Sequence, residues 1–579
     1  MGILKQYKAV TSPPFTQDYE VQPRSEADIF PHPGPIVVQP PHEDSIRADE
    51  VRIRWLTDVP STSVALYGTT LAYSDSVTDP SLTTDHVMWL TDLTPATTYH
   101  YAIASADSSG RTNVAGFLFS SASPAATTGE VNAYFNKDVN TSVAAGEAAP
   151  GNQDLVSLLV RRLDAARHSI DACFYNLSGS PGAAVADALV RAKERGIKVR
   201  LIGEADNDRN APFATVSSNG IPFITDEFDP STGGAGLMHD KFVVIDGRGG
   251  APESVWVWTG SWNPTAPGTN DDRQNSIEIQ DQALANVYVH EFDEMWGSPT
   301  QQPNAAASRF GSRKIDDTPH RFNVGGREVE CYFSPSDHTT SAIGRALSRA
   351  TRSVCESMYT FTRRDLADSL IAQRNRGRKV RVVLDNNTDS GNQYATLVIG
   401  GVDVHLKGFD NGYLHHKYAV VDATDPAARQ WVVTGSHNWS SAAENSNNEN
   451  TLVIQDNRIA NFYLQEFYAR YLEAGGSDPI VLDAKEPPGD SPRTFALAQN
   501  HPNPFNPVTV ISYTIARASF VSLKVFDVLG REVVTLVNER QGSGAYTIAF
   551  NAAGVSSGVY FYRLVAGDYT ATKKLIVAK

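Results

Sequence analysis

Two short motifs in this chain each place a histidine and a lysine two residues apart. They are His239 with Lys241 and His415 with Lys417, and an apolar run follows each motif. Side chains two positions apart on a strand point to the same face, so each motif can present an imidazole and an ammonium group together. The pKa of histidine lies near neutrality, so one histidine can act as a neutral base while the other donates a proton. Two facing motifs would form one site for this chemistry.

A Gly-Ser-x-Asn sequence follows each motif. The first contains Ser261 and Asn263, and the second contains Ser436 and Asn438. Hydroxyl and amide groups can hydrogen-bond to oxygen atoms on which negative charge develops. A single His-x-Lys pair in a strand would be interpreted as an ordinary surface pair. Two copies in register, each with its Gly-Ser-x-Asn, instead indicate a catalytic site.

The two motif sets belong to a longer internal repeat. Five segments of the first copy correspond in order to five segments of the second, and their offset falls slowly from 198 to 175 residues. The pairs are 130–135 with 328–333, 168–175 with 352–359, 195–202 with 376–383, 238–246 with 414–422, and 259–263 with 434–438. This series indicates a tandem duplication. Helical patterns alternate with apolar strands in both copies, which predicts a mixed α/β sheet in each half.

The His-x-Lys motif, followed after four residues by Asp and then by Gly-Ser-x-Asn, resembles the phospholipase D superfamily. The resemblance implies that one histidine attacks phosphorus to form a phosphohistidine, with neither metal nor cofactor. It assigns His239 as nucleophile and His415 as general acid, but the near symmetry of the halves leaves the reverse assignment open. The groups implied to hold the non-bridging oxygens are Lys241, Lys417, Asn263, Asn438 and the hydroxyls of Ser261 and Ser436.

The resemblance also implies a carboxylate that orients a catalytic histidine. Glu449 occupies that position after the second motif, whereas the first copy has Gln274 and Asn275 there. A carboxylate raises the pKa of a histidine more than an amide does, so His239 and His415 should lie in different environments. The sequence leaves open which histidine Glu449 and Gln274 each contact.

Several nearby residues are interpreted as structural. Asp246 and Asp422 end apolar strands and are expected to accept hydrogen bonds from backbone or lysine donors. His416 should point away from the site, and the role of His437 stays open. The tryptophans expected to fill the core or the cleft rim are Trp256, Trp258, Trp262 and Trp439. The loops at 204–236 and 385–413 are expected to be solvated, with cleft lining or calcium binding as alternatives.

The regions before the repeat carry different patterns. Residues 1–37 are polar and proline-rich and are interpreted as a leader or linker, and no export signal is found there. Residues 38–124 alternate as strands do and predict a β-sandwich. Within them, residues 93–101 resemble a late strand of fibronectin type III domains. The two halves of the phospholipase D-like core are predicted at 128–310 and 325–480.

Residues 495–579 alternate throughout and predict a second all-β sandwich. Asn500–Pro507, the Asp-Val-Leu-Gly turn at 527–530 and Ser-Gly-Val-Tyr at 557–560 resemble the C-terminal sorting domain of bacterial type IX secretion. The resemblance implies passage across an outer membrane, then release or attachment at the cell surface, with the type IX machinery as partner. A generic immunoglobulin-like module is the alternative.

Composition narrows the choice of function. The 579 residues allow about four domains. The net charge of −15 opposes sequence-independent binding of nucleic acid, which depends on Lys and Arg. No apolar run reaches the length of a membrane span. Cys173, Cys331 and Cys355 cannot all pair and are interpreted as ordinary strand residues.

The sequence therefore predicts a secreted phosphodiesterase. The favoured substrate is a phospholipid, whose head group would be released by hydrolysis or transferred to an alcohol. The alternative is a metal-independent endonuclease of the same superfamily, for which Arg376, Arg378, Lys379 and Arg381 could form a basic groove. A non-catalytic surface-binding protein is a third hypothesis. Both motifs lie in one chain, so a monomer is expected.

Overall fold

The structure forms two compact units, residues 1–482 and 483–579. The ranges that this computed structural model describes are 3–6, 19–22, 34–231, 236–249, 251–482, 495–500, 502–515, 519–541, 544–567 and 569–578. None of the helices in these ranges combines the length and apolar character that crossing a membrane requires.

The N-terminal part of the first unit is built from strands. Strands β1 (Ile3–Gln6) and β2 (Tyr19–Gln22) pair antiparallel within the predicted leader, whose residues 7–18 and 23–33 lie outside the described ranges. One five-stranded sheet follows, formed by β3 (Val37–Ile46), β4 (Val51–Gly68), β5 (Asp75–Leu90), β6 (Thr98–Ala106) and β7 (Arg111–Ser120). Strand β4 pairs with β3, β5 and β6, and alternate residues of these strands enter a common core. The region is β-rich as predicted, and its likeness to fibronectin type III domains stays a prediction.

A seven-stranded sheet forms the first half of the repeat. Its strands are β8 (Val131–Phe135), β9 (Ser169–Phe174), β10 (Lys198–Gly203), β11 (Phe223–Thr225), β12 (Lys241–Ile245), β13 (Trp256–Gly260) and β14 (Asn275–Ile279). Its helices are α1 (Leu155–Asp164), α2 (Gly179–Glu194), α3 (Ala211–Ser218), α4 (Ala266–Asn270) and α5 (Gln282–Trp296).

An eight-stranded sheet forms the second half. Its strands are β15 (Arg321–Val324), β16 (Arg327–Ser334), β17 (Ser353–Met358), β18 (Lys379–Leu384), β19 (Asp403–Leu406), β20 (Lys417–Val421), β21 (Trp431–Gly435) and β22 (Glu449–Gln455). Its helices are α6 (Thr339–Ser348), α7 (Arg364–Asn375), α8 (Tyr394–Ile399), α9 (Ser441–Asn445) and α10 (Asn457–Glu473).

The two sheets share one topology. The first has the order β11-β10-β9-β12-β13-β14-β8, and the second has β19-β18-β17-β20-β21-β22-β16 with β15 added at the edge. Strands β9, β10 and β11 are parallel, as are β17, β18 and β19, and the remaining neighbours are antiparallel. The predicted duplicated core with mixed sheets is thereby confirmed.

Helices α5 and α10 occupy equivalent places and close the core between the sheets. An aspartate begins each helix: Asp281 accepts a hydrogen bond from Leu284 N at 2.9 Å, and Asp456 accepts one from Ile459 N at 3.0 Å. Such caps satisfy backbone donors that have no partner inside the helix. One hydrophobic cluster contains residues of both helices and of both sheets. The halves therefore share a core, which fixes their catalytic loops relative to each other.

The C-terminal unit is a sandwich of two sheets. Strands β23 (Ala496–Leu497), β24 (Val508–Ile515) and β27 (Gly544–Asn551) form one sheet. Strands β25 (Ser519–Phe526), β26 (Glu532–Gln541), β28 (Gly558–Ala566) and β29 (Tyr569–Val577) form the other. Alternating residues such as Val521, Leu523 and Val525 are fully buried in the core between them. The predicted all-β fold is confirmed.

Candidate active site

The backbone of each catalytic histidine, His239 and His415, is hydrogen-bonded to the opposite half of the core. The two histidines lie immediately before β12 and β20. His239 N donates to Asn448 O at 3.0 Å, and His415 N donates to Arg273 O at 3.0 Å. Asn448 precedes β22 and Arg273 precedes β14, so the end of a strand in one half fixes the histidine of the other half.

The imidazoles are also oriented across this boundary. His239 Nδ1 donates to Glu449 Oε2 at 2.8 Å. His415 Nδ1 lies 3.0 Å from Gln274 Oε1 and 3.2 Å from the carbonyl oxygen of Ser261. Because these partners accept hydrogen bonds, Nδ1 carries the proton in both rings and the Nε2 lone pair is left for chemistry. Glu449 thus contacts His239 and Gln274 contacts His415, the pairing that the sequence left open.

The lysines lie beside the histidines of their own motifs. Lys241 Nζ donates to His239 O at 2.6 Å, and Lys417 Nζ donates to His415 O at 2.8 Å. Both lysines are buried. Each ammonium is therefore fixed to the backbone of the histidine in its own motif.

Two tyrosines that sequence reasoning did not assign to the site complete its walls. The ring of Tyr175 lies 4.8 Å from that of His239 and 5.0 Å from Lys241 Nζ. The ring of Tyr359 lies 4.7 Å from that of His415, and its ring is 4.8 Å from Lys417 Nζ. The two tyrosines end corresponding segments of the repeat, and this equivalence was the signal that could have identified them.

The charges of the two motifs influence each other across the boundary between the halves. Burial lowers the pKa of His239 to about 4, and the charge of Lys417 contributes to this shift. Burial, then the charges of Lys417 and Lys241, lower the pKa of His415 well below its usual value. Burial also lowers the pKa of Lys241 to about 8. Each half therefore acts on the ionisation of the other, as groups in a shared site do.

Glu449 remains an anion although it is fully buried. Burial alone would raise the pKa of Glu449, but the neighbouring His239 and Lys241 outweigh this effect and hold it below its usual value. The carboxylate also accepts a hydrogen bond from Asn447 Nδ2 at 3.4 Å. His239 consequently has a charged partner, whereas His415 has a neutral one.

The serines of the Gly-Ser-x-Asn segments are bonded inside the protein. Ser261 Oγ donates to Gln274 Oε1 at 2.9 Å and accepts from Asn275 N at 3.0 Å. Ser436 Oγ accepts from Asn450 N at 3.0 Å. Both hydroxyls therefore hold the strands that carry the orienting residues.

The asparagines of these segments retain free bonding capacity. The Oδ1 atoms of Asn263 and Asn438 are buried and have no hydrogen-bond partner in the part of the chain that the structure describes. Both residues lie two positions after a serine that holds an orienting strand. A buried polar group without a partner is costly, so these amides are suited to bind a ligand.

His416 has a supporting role that sequence reasoning missed. It is fully buried and points away from the reacting groups, as the strand period predicted. Its Nε2 lies 2.9 Å from Glu466 Oε1, and its Nδ1 lies 3.1 Å from Asn275 Oδ1. Asn275 follows Gln274, so His416 supports the strand that orients His415.

His437 lies beside Glu444. Its side chain is buried, and neither ring nitrogen has a hydrogen-bond partner among the described residues. Its Nε2 lies 3.6 Å from Glu444 Oε2. The structure places it near the carboxylate and not against either catalytic imidazole.

Asp246 and Asp422 support the strands outside the reacting groups. Asp246 accepts from the backbone N–H groups of 167–169, and Asp422 accepts from those of 351–353. Their φ angles are 57° and 60°. Aspartate tolerates this left-handed conformation better than most residues. These contacts agree with the expected structural role.

The tryptophans of this region pack in the core. Trp258 and Trp262 contact each other edge to face at 6.5 Å, and Trp439 contacts Phe361 at 5.1 Å. Trp256 lies under the guanidinium group of Arg162 at 3.5 Å.

The three cysteines are buried and unpaired in strands. Within the described ranges, no group of three or more His, Cys, Asp or Glu side chains is arranged to hold a metal ion.

Two family models match the chain. The model for "Cardiolipin synthase, PLD-like domain" matches residues 159–296 and 343–471, one segment in each half of the duplicated core. The model for "Secretion system C-terminal sorting domain" matches residues 500–578. The second match indicates export by type IX secretion to the cell surface or the extracellular space.

Individual relatives match the core. A mitochondrial cardiolipin hydrolase of Xenopus tropicalis is 41% identical over 154 residues, which are 26% of this chain and 69% of the relative. A phospholipase D of Rickettsia felis is 31% identical over 147 residues, 25% of this chain and 69% of the relative. Among solved structures, the phospholipase D family member Nuc from Salmonella typhimurium has a TM-score of 0.23 and 28% identity, covering 25% of this chain and 95% of that one. The cardiolipin hydrolase and phospholipase D relatives confirm the family predicted from the two motifs: the chain belongs to the phospholipase D superfamily and is a phosphodiester hydrolase.

Proposed function

We propose that this chain hydrolyses the head-group phosphodiester of phospholipids through a phosphohistidine intermediate. One observation carries this proposal. His239 and His415 are each oriented by a residue of the opposite half, with Nδ1 bound to an acceptor and Nε2 without a partner among the described residues, and each adjoins a buried lysine. This arrangement supplies a nucleophile, a proton donor and two cations for the phosphate.

In the first step, His239 Nε2 attacks phosphorus and the bond from phosphorus to the leaving oxygen breaks. His415 gives its Nε2 proton to that oxygen. In the second step, His415 removes a proton from water, the water oxygen bonds to phosphorus, and the phosphorus–nitrogen bond breaks to free His239. An alcohol in place of water would give transfer of the phosphatidyl group.

The first step requires a protonated His415, whose pKa is lowered in the free enzyme by burial and by the two lysines. A bound phosphodiester anion would offset the charges of Lys241 and Lys417. The pKa of His415 would then rise, because a nearby anion favours the imidazolium form. Substrate binding would thus prepare the acid that the reaction needs.

The partners of the two histidines favour His239 as the nucleophile. Phosphorylation at Nε2 makes the ring cationic, and the Glu449 carboxylate at 2.8 Å stabilises that charge. Gln274 gives His415 a neutral partner, which leaves it a stronger acid than a carboxylate partner would. The near symmetry of the two halves also allows the reverse assignment, in which His415 is the nucleophile.

The remaining groups bind and position the phosphate. Lys241 and Lys417 would neutralise the non-bridging oxygens, and the Nδ2 groups of Asn263 and Asn438 would donate hydrogen bonds to them. Ser261 and Ser436 are assigned a positioning role because their hydroxyls are bonded inside the protein.

Charge near the site favours a phospholipid over a nucleic acid. Burial and the charges of Asp385 and Asp389 raise the pKa of Tyr359 to about 12. These carboxylates therefore lie near Tyr359, whose ring contacts His415. Glu204 and Asp206 stand in the same way beside Tyr175. The less buried carboxylates, Asp206 and Asp389, would repel a polyanionic strand. The similarity to a cardiolipin hydrolase and to a phospholipase D also favours a lipid.

The residues suggested for a basic groove support the same choice. Lys379 begins β18, whereas Asp385 follows its far end, about 20 Å away for a strand of this length. Arg381 is buried and donates to Asp478 Oδ2 at 2.7 Å. These cations are therefore remote or already paired and do not form a nucleic-acid groove at the site.

We further propose that one chain suffices for catalysis and that the type IX machinery recognises the C-terminal unit. Both histidines and both orienting residues come from a single chain. The sorting-domain match at residues 500–578 supports the second part.

The test is hydrolysis of phosphatidylcholine vesicles, cardiolipin vesicles and plasmid DNA in parallel, in the presence of EDTA. The wild-type chain is compared with His239→Ala and His415→Ala. His290→Ala is the matched control, because this exposed histidine on α5 lies outside the site. Loss of lipid hydrolysis in both site variants, but not in the control, is the expected result.

Other results would select another function. Cleavage of DNA alone would establish the endonuclease. Absence of every activity would favour the surface-binding protein. Activity that EDTA abolishes would contradict the metal-free mechanism.

A further inference from the structure

Each residue that orients a catalytic histidine is followed in the chain by a buried asparagine. Asn450 follows Glu449, and Asn275 follows Gln274. Both asparagines lie at the start of a strand and are fully buried. Because successive residues of a strand point to opposite faces, each asparagine points away from the histidine that its neighbour orients. The two amides therefore lie behind the site and take no part in the reaction steps themselves.

The backbone of each asparagine is bonded within its own half. Asn450 N donates to Ser436 Oγ at 3.0 Å, and both residues belong to the second half. Asn275 N donates to Ser261 Oγ at 3.0 Å, and both belong to the first half. The Gly-Ser-x-Asn serines thus fix the main chain from which these side chains project.

The side chain of Asn450 crosses into the first half. Its Nδ2 donates to Oδ1 of Asp240, the middle residue of the first His-x-Lys motif, at 2.8 Å. Its Oδ1 accepts from Thr259 Oγ1 at 2.7 Å and from Tyr288 OH at 3.3 Å. A single amide from β22 therefore bonds to three separate elements of the opposite half.

The side chain of Asn275 crosses into the second half in the same way. Its Oδ1 lies 3.1 Å from Nδ1 of His416, the middle residue of the second motif. Its Nδ2 donates to Thr434 Oγ1 at 3.1 Å and to Tyr463 OH at 2.9 Å. Thr434 and Tyr463 lie 175 residues after the threonine and tyrosine that contact Asn450. The duplicated core thus contains the same set of contacts twice, in opposite directions.

These contacts also restrain the neighbouring orienting residue. A buried polar group that loses its partner is costly, so each amide is kept in place by the three groups it bonds to. Only one peptide bond separates the asparagine from the residue that orients the histidine. Asn450 consequently fixes where Glu449 stands relative to His239, and the equivalent relationship holds in the other half.

We propose that Asn450 and Asn275 are positioning residues, each of which holds the orienting residue of one catalytic histidine against the opposite half. Loss of Asn450 should disturb His239 and not His415, and loss of Asn275 should do the reverse. The proposal requires a phosphodiester hydrolase that uses both histidines. It holds for either assignment of nucleophile and acid, and for a lipid or another diester as substrate.

Turnover of bis(p-nitrophenyl) phosphate by the full chain is the first measurement. Asn450→Ala and Asn275→Ala should each lower kcat by about 10², because a small displacement of a catalytic group is costly. KM should change little, because neither amide lies on the face that carries the histidines. Urea denaturation of each variant gives the folded fraction to which kcat is referred.

Asn461→Ala is the matched control. Asn461 is a buried amide on α10 that bonds across the same boundary, to Val143 O and to Ala145 N, both at 2.9 Å. It does not adjoin an orienting residue. Its loss should lower stability but leave kcat per folded molecule near that of the wild type. A loss of kcat in this control equal to that in Asn450→Ala would overturn the proposal.

An exchange of groups tests the hydrogen bond behind His239 itself. Asn450→Asp places a second buried carboxylate against Asp240 and should lower kcat at least as much as Asn450→Ala does. Adding Asp240→Asn restores one amide and one carboxylate in exchanged places, and the carboxylate at 450 can still accept from Thr259 and Tyr288. The double variant should therefore regain most of the lost kcat. A folded double variant as impaired as Asn450→Asp would overturn the proposal, and this comparison serves if the alanine variants do not fold.

Hydrogen exchange identifies the histidine that each asparagine serves, without relying on activity. The amide of each catalytic histidine donates to the carbonyl oxygen two residues before the corresponding asparagine. Mass spectrometry resolved to single amides should find the His239 amide severalfold less protected in Asn450→Ala, with that of His415 unchanged. Asn275→Ala should give the reverse. Equal loss of protection at both amides would overturn the proposal, whereas the selective pattern in a chain that cleaves no phospholipid would refute the proposed substrate and leave the positioning roles standing.

Discussion

His239 Nδ1 is hydrogen-bonded to Glu449 Oε2 at 2.8 Å across the boundary between the two halves. The equivalent partner of His415 is the neutral amide of Gln274, at 3.0 Å. The duplicated halves have therefore kept the geometry of the contact but differ in its charge. Chemically, the two histidines are not interchangeable, although their surroundings are otherwise nearly symmetric.

Exchanging these partners tests which histidine is the nucleophile. Glu449→Gln should lower kcat by roughly 10²–10⁴, because the cationic phosphohistidine loses its counter-charge. The loss should be similar for substrates with good and poor leaving groups. Gln274→Glu should slow only substrates with a poor leaving group, because it makes His415 a weaker acid. Steady-state kinetics with p-nitrophenyl and choline esters measure both effects, and the opposite pattern would identify His415 as the nucleophile.

Trapping the intermediate tests the same assignment directly. In His415→Ala, an activated p-nitrophenyl ester should still phosphorylate the enzyme, since its leaving group needs little protonation. Hydrolysis of the intermediate should be slow because the base that activates water is missing. Peptide mass spectrometry should then find the added phosphoryl group on His239. A label on His415 in the His239→Ala variant, with none in His415→Ala, would reverse the roles.

Much of this arrangement could be predicted from the sequence. Repeated patterns specify local structure, so the offsets between segments predicted the duplication, the mixed sheets and the pairing of the two motifs. The spacing of His239 and Lys241 predicted that both side chains share a face. Alternation in residues 495–579 predicted the C-terminal sandwich.

The contacts between the two halves could not be predicted from the sequence. Whether Glu449 contacts His239 or His415 depends on how the sheets pack, and no local pattern encodes that packing. His416 was expected to be incidental because the strand period turns it from the site, yet a buried imidazole must find partners, here Glu466 and Asn275.

The aspartate of each extended motif should contribute to stability and not to chemistry. Asp246→Ala removes the acceptor for three backbone N–H groups and places a non-glycine residue without a polar side chain at φ 57°. We expect the free energy of unfolding to fall by roughly 1–3 kcal/mol. Urea denaturation measures this change. The rate per folded molecule should stay near that of the wild type, and a loss of kcat at unchanged stability would contradict the structural role.

Glu356 lies in the core of the second half, on β17, and is fully buried. Neither carboxyl oxygen has a hydrogen-bond partner among the residues that the structure describes. Burial raises the pKa of Glu356 well above the usual 4.5, so the folded chain keeps this group protonated. The position corresponds to Ala172 in the first half, where the core is apolar.

Replacing Glu356 by methionine should therefore stabilise the fold, and more so at higher pH. Above about pH 4.5 the unfolded chain releases the Glu356 proton while the folded chain retains it, so rising pH favours unfolding. This loss amounts to at most about 1.4 kcal/mol per pH unit and ends at the pKa of the folded state. Thermal unfolding of wild type and Glu356→Met from about pH 5 to about pH 8 measures it. The gain in melting temperature should grow with pH in Glu356→Met and be absent from Glu194→Met, which alters an exposed glutamate on α2. A gain that does not change with pH would mean that Glu356 is already ionised in the folded chain.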